Sequence, residues 1–160
     1  MKQSALVNPA SMKGLYDNFH FAAAARSSDL LICSGQLGVG PDGRAIADPA
    51  AQFAAAFEGV RAVLAEAGLD FSDVLEITTF HVGLTQHLGA FMRVKDSVLP
   101  APYPAWTAIG ITELAFPGCL VEIRATAQLR KPAARAAAAR PKAKTKRAAR
   151  PATKKAARRR

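Results

Sequence analysis

The chain has 160 residues, half of them hydrophobic, which is room for one domain with a sizeable core and not for two. Its 22 Lys and Arg outnumber 12 Asp and Glu, but 13 of the cations stand between 131 and 160 with no acid among them, so residues 1–130 hold 9 cations against 12 anions and carry −3. The basic pI therefore belongs to a C-terminal tail and says nothing about the domain.

Two cysteines, Cys33 and Cys119, are too few and too far apart for a disulfide framework or a cysteine metal motif. The N-terminal stretch lacks a signal-peptide apolar region, and no run reaches the roughly 18 apolar residues of a membrane span. A cytoplasmic protein with reduced thiols is expected.

Taken in chain order, Phe19–Ala25 and Leu30–Gly35 read as a β-hairpin around a four-residue turn, Arg26 to Asp29. A further short strand near Ala5–Asn8 is compatible with the pattern. Gly35 to Gly43 reads as a loop: it carries a Pro41-Asp42-Gly43 turn and lacks the Gly-Lys-Ser/Thr end of a phosphate loop. A helix follows, with Asp48 as N-cap, Pro49 at its first position, and Phe53, Phe57, Val60 and Leu64 as one stripe; Gly68 ends it.

Leu75–Val82 alternates as a strand, with Leu75, Ile77, Thr79 and His81 expected on one face. A second helix over Gln86–Val98 is expected to start at a Thr85 cap and to turn Leu88, Phe91 and Val98 inward. Pro100, Pro102 and Pro104 then force extended chain. Ala105–Ile111 is a short strand. Leu120–Leu129 is the best-patterned one, with Val121, Ile123, Ala125, Ala127 and Leu129 opposite Glu122, Arg124, Thr126 and Gln128. The expected fold is α+β, in the order β-β-α-β-α-β-β, with two helices on one face of a mixed sheet. The other face must meet solvent or a partner subunit.

These elements carry a recognisable set of residues. Leu31-Ile-Cys-Ser-Gly-Gln-Leu-Gly38, the helix Gln52–Leu69, and Pro104-Ala-Trp-Thr107 with Leu120-Val-Glu-Ile-Arg-Ala-Thr-Ala127 occur in the order seen in the RidA/YjgF family. The resemblance runs from about Tyr16 to Leu129. It implies a chorismate-mutase-like fold and a homotrimer with ligand clefts between subunits. It also implies hydrolysis of reactive imines and enamines without metal or cofactor; some members have been described as ribonucleases. By the same resemblance Glu122 matches the glutamate that positions or activates water, Tyr16 the tyrosine near the cleft, and Ser34-Gly35-Gln36 the strand end that approaches ligand. Where the deaminating members carry an arginine that clamps the substrate carboxylate, this chain has Trp106. An indole offers one N–H and a π-face in place of a charged fork, so the usual 2-imino acids are not carried over as substrates.

Each candidate has a plainer reading. Glu122 is either a water-handling carboxylate or a paired interface glutamate. Trp106 is either an aromatic wall or a packing residue. Arg124, about 7 Å along the strand from Glu122 on the same face, is a displaced cation or an ion-paired surface arginine. His20, His81 and His87 lack ligand spacing, and neither cysteine has an activating base in view.

Residues 131–160 form a second piece, made of Ala, Lys, Arg, Pro and Thr without aromatic or large aliphatic side chains. Such a composition cannot offset its ordering entropy and is expected to be disordered in isolation. It resembles linker-histone tails. Lys142, Lys144, Lys146, Arg147, Arg150, Lys154, Lys155, Arg158, Arg159 and Arg160 suit contacts to a phosphate backbone. Salt-sensitive binding to DNA or RNA with little sequence preference is expected, and with it nucleoid association.

Overall fold

The computed structural model describes residues 5–130. The tail and its cations from Lys142 to Arg160 lie outside the described residues.

The elements are β1 (Leu6–Val7), α1 (Lys13–Phe19), β2 (Ala24–Ser27), β3 (Leu30–Cys33), β4 (Gln36–Leu37), α2 (Pro49–Glu66), β5 (Val74–Val82), α3 (Leu84–Val98), β6 (Ala105–Ile111) and β7 (Val121–Gln128). They form one mixed sheet in the order β1-β2-β3-β7-β5-β6, with β4 also pairing β7; β5 and β6 run parallel and the other pairs antiparallel. This is the expected α+β architecture.

α2 is built as its sequence dictates. Asp48 accepts a hydrogen bond from the Ala51 N–H, Pro49 opens the first turn, and Gly68 takes a positive φ of 78° just beyond the end. Phe53, Phe57, Val60 and Leu64 are fully buried. They meet Phe91 of α3, whose ring lies 5.6 Å from Phe53 and 5.8 Å from Phe57. Below them the sheet supplies Leu31, Ile77, Val121, Ile123, Ala125 and Ala127. Buried Gln52 ties this helix to the chain entering β7: it donates to Ile46 O and Gly118 O and accepts from the Leu120 N–H.

Several expectations are corrected. The hairpin turn has two residues, Ser28 and Asp29, because Ser27 pairs with Leu30 and Ser28 takes the left-handed φ of 53°. The hairpin's first strand, β2, starts at Ala24; Phe19 ends α1, a helix with no buried residue and hence no apolar stripe to announce it. The stretch after Gly35 is not all loop, since Gln36 and Leu37 pair with Ile123 and Glu122. A bulge between Val74 and Glu76 turns Leu75 out to solvent and puts Val74 in the core in its place. α3 starts at Leu84 behind Gly83, whose φ of 66° makes the turn, so Thr85 is no cap. Leu88 is exposed, and Lys95 takes a buried position on that helix.

Candidate functional site

The two sheet faces divide the candidate residues. On β7, Val121, Ile123, Ala125 and Ala127 point under the helices, so Glu122 and Arg124 point to the open face. The cross-strand register extends that face: Leu37 lies opposite Glu122 on one side, Phe80 opposite it on the other, and Ile109 beyond Phe80. Glu122 thus sits in an apolar row. It is partly buried, takes part in no ion pair or side-chain hydrogen bond among the described residues, and burial pushes its carboxyl above the ordinary carboxylate range.

Its position is set by a bulge. Ile32 of β3 faces Thr126 of β7, while Gln36 of β4 faces Ile123, so four steps on one side span three on the other. The extra residue falls at Cys33–Gly35. There the Glu122 carboxylate lies against Gly35 so closely that a Cβ on residue 35 would overlap Oε1 and Cδ. Ser34 is held alongside, its hydroxyl donating to Ala22 O at 2.7 Å. Ser34, Gly35 and exposed Arg124 share a shallow depression of about 490 Å³ with Phe21 and Ile32. Cys119 lies close enough that the Glu122 charge adds to the effect of burial in raising its thiol pKa. Burial likewise pushes the Cys33 thiol up to about 11, which leaves it an inert core residue.

Three candidates go elsewhere. The Gln36 side chain turns under α2 and donates to Ser34 O. Tyr16 lines a separate polar hollow with Arg26 and Glu66. Trp106 pairs with Ile77 and therefore lies on the helix face, opposite to Glu122. Its indole N–H donates to Thr79 Oγ1 at 2.9 Å, its ring packs 5.8 Å from Phe91, and the Lys95 ammonium sits 5.1 Å above it, with Asp96 as the ammonium's partner at 2.5 Å.

Beside this indole lies buried His81, whose Nε2 is 2.8 Å from Thr79 Oγ1 and whose Nδ1 has no partner. Trp106 can only donate to Thr79, so Thr79 is left with one proton to give, either to His81 or to Thr107 O at 3.3 Å. Burial lowers the His81 pKa to about 4, and the ring is neutral at pH 7. His20 and His87 join no such group: His20 is exposed at the left-handed end of α1, and His87 stands edge-on to Phe53. Sequence reading missed Leu37 and Phe80 beside Glu122, and Phe21 beside Ser34 and Gly35. The alternation of β5 from Ile77 onward places Phe80 out of phase with the core residues and was the available signal.

The profile of the endoribonuclease L-PSP family matches residues 15–129, in the order of the elements just described. This chain belongs to that family. Among curated proteins it is similar to the RutC family protein YjgH of Escherichia coli K12, with 39% identity over 130 residues, 81% of this chain and 98% of that one. Among solved structures, one of a protein YJGH superimposes with a TM-score of 0.73 at 38% identity over 79% of this chain and 97% of that one. RidA from Psychrobacter sp. PAMC 21119 superimposes with a TM-score of 0.63 at 27% identity, over 68% of this chain and 87% of that one. The described helices include none long and apolar enough to cross a membrane.

Proposed function

We propose that this family member hydrolyses an imine- or enamine-type small molecule without a metal, as a homotrimer with clefts between subunits, and that Glu122 handles the water. The observation that carries this reading is the state of Glu122: partly buried, without an ion-pair or hydrogen-bond partner among the described residues, with a raised pKa, and flanked by Leu37 and Phe80. A carboxylate so placed is a better base than one in water. Water would add to the imine carbon while its proton passes to Glu122. Glu122 returns that proton to nitrogen to give the neutral carbinolamine, and a second transfer through Glu122, from the carbinolamine hydroxyl to nitrogen, breaks the C–N bond and leaves ammonia and the carbonyl product.

The substrate is other than the 2-imino acids. The resemblance implies an arginine clamp at the position of Trp106, and here that residue is an indole engaged with Thr79 and Phe91. Arg124 is the cation beside Glu122 on the open face, and an anionic group on the substrate would meet it. The tail adds non-specific binding to DNA or RNA. The inward indole also favours a second reading, a non-catalytic ligand-binding trimer that its tails attach to nucleic acid.

Assay of purified protein against a broad panel of imines, with Glu122→Gln alongside, separates the two. Hydrolysis that the variant loses by about 10²-fold or more supports the first reading. No hydrolysis by the wild type leaves the second.

A further inference from the structure

His81 is 1% exposed, and its Nδ1 is the buried side-chain atom left without a partner among the described residues. Its other nitrogen has one neighbour, Thr79 Oγ1 at 2.8 Å. That hydroxyl also receives the Trp106 indole N–H at 2.9 Å. Thr79 thus ties a buried imidazole to the indole of an edge strand. Among the described residues β6 pairs with β5 alone, and Trp106 is partly exposed. Phe91, edge-on to His81 with 4.7 Å between ring centroids, is fully buried against Phe53 and Phe57. The indole is therefore the part of the cover over His81 that is held least.

A neutral ring fits this site in either tautomer. If Nε2 accepts, Thr79 gives it its proton; if Nε2 donates, Thr79 turns its proton to Thr107 O at 3.3 Å. A charged ring carries a proton on each nitrogen, and the one on Nδ1 finds no acceptor. No carboxylate offsets the charge. β6 and the buried face of α2 carry no titratable residue, and Glu76, Glu122 and Arg124 of β5 and β7 lie on the opposite face of the sheet. α3 offers His87, edge-on to Phe53, and the Lys95 ammonium over the indole, which has the same sign as an imidazolium. Asp96 is exposed and engaged with Lys95.

We propose that Thr79 and His81 form a proton-operated latch on Trp106: the neutral imidazole keeps the indole bound to Thr79 on the helix face, and protonation of His81 releases it at the sheet edge while the rest of the domain stays folded. Departure of the indole admits water to Nδ1 and to Thr79 Oγ1, which a buried imidazolium needs. Burial holds the pKa of the closed site at about 4 against 6.5 in water, so the open form binds the proton more tightly and opening grows as pH falls. The latch makes presentation of the residue-106 side chain at the sheet edge dependent on pH. None of this uses Glu122, so the latch stands whether or not the protein hydrolyses imines.

Trp106 is the single tryptophan of the chain, so its fluorescence reports the latch directly. The full chain is titrated from pH 7 down to about 3.5, with emission wavelength, acrylamide quenching and far-ultraviolet circular dichroism followed together. A red shift and a several-fold rise in quenching are expected with a midpoint between pH 4 and 6.5, at unchanged circular dichroism. His81→Phe, which fills the place of the ring without a titrating group, keeps the native emission until the whole domain unfolds. Wild-type emission that changes only together with circular dichroism overturns the proposal. So does a fall in intensity without red shift or added quenching, because the indole then stays in place beside a protonated ring. A folded His81→Phe variant that keeps the wild-type transition overturns it as well. Should that variant fail to fold, the wild-type comparison of fluorescence with circular dichroism still decides.

Discussion

The carboxylate of Glu122 occupies the space that any side chain on residue 35 would need. A glycine required by a neighbouring side chain differs from one required by its own backbone, and Gly35 has no positive φ. The bulge of one strand and the acid of the next form a single unit. Gly35→Ala should therefore displace Glu122 and cost about 1–3 kcal/mol, the usual range for overpacking. Urea denaturation gives the loss. Hydrolysis should fall further than the loss of folded protein explains, because the carboxylate moves.

The raised pKa of Glu122 has a defined sign. The folded state keeps this proton to a higher pH than the unfolded state does. From the ordinary carboxylate range up to the folded pKa, the native protein binds more protons, so stability falls as pH rises through that window. Glu122→Gln removes the loss. Its melting temperature should match the wild type in acid and exceed it at pH 7. Any activity that needs the carboxylate should rise with pH across the same window.

His81 acts in the opposite direction. Its pKa is about 4 when folded and near 6.5 when unfolded. Between those values the unfolded state binds the extra proton, so stability is lost as pH falls, by at most about 1.4 kcal/mol per pH unit. The groups facing it are Thr79 and Phe91, neither of which titrates. His81→Gln should flatten the acid limb of the stability profile between pH 6.5 and 4.

Trp106→Phe should cost about 1 kcal/mol through the lost bond to Thr79, measured by chemical denaturation. Trp106→Arg is more informative. Its guanidinium cannot stay between Phe91 and Lys95 without burying a second cation, and should swing out from this edge strand. Gain of 2-imino acid hydrolysis would show that the rest of the site is competent.

Removal of 131–160 should abolish retention on DNA and on heparin, since it leaves a domain of net charge −3. The full chain should elute from DNA with a steep dependence on salt. Retention by the truncated chain would refute the assignment of nucleic-acid binding to the tail. At the root of that segment, Arg130 forks onto Asp70 and Asp73 at 2.7 and 2.6 Å.

The sequence by itself determined the elements whose pattern is long and uninterrupted. α2 and β7 follow from their own periodicity, caps and alternation, because one face of each meets a single apolar layer over its whole length. The separation of charge between domain and tail is a matter of composition and needed no structure. Glu122 was legible as a polar residue on an alternating strand, and the order of motifs pointed to the family.

Tertiary structure decided what depends on neighbours distant in the chain. Leu75 fits the strand period, yet a bulge in its pairing with β7 expels it. Thr85 is a sound cap residue, yet Gly83 makes the turn because α3 must leave β5 at once to cover the sheet. The face taken by Trp106 follows from the parallel register of β5 and β6, which no local pattern specifies. That register packs the indole against Phe91 and leaves Glu122 on the far side of the sheet.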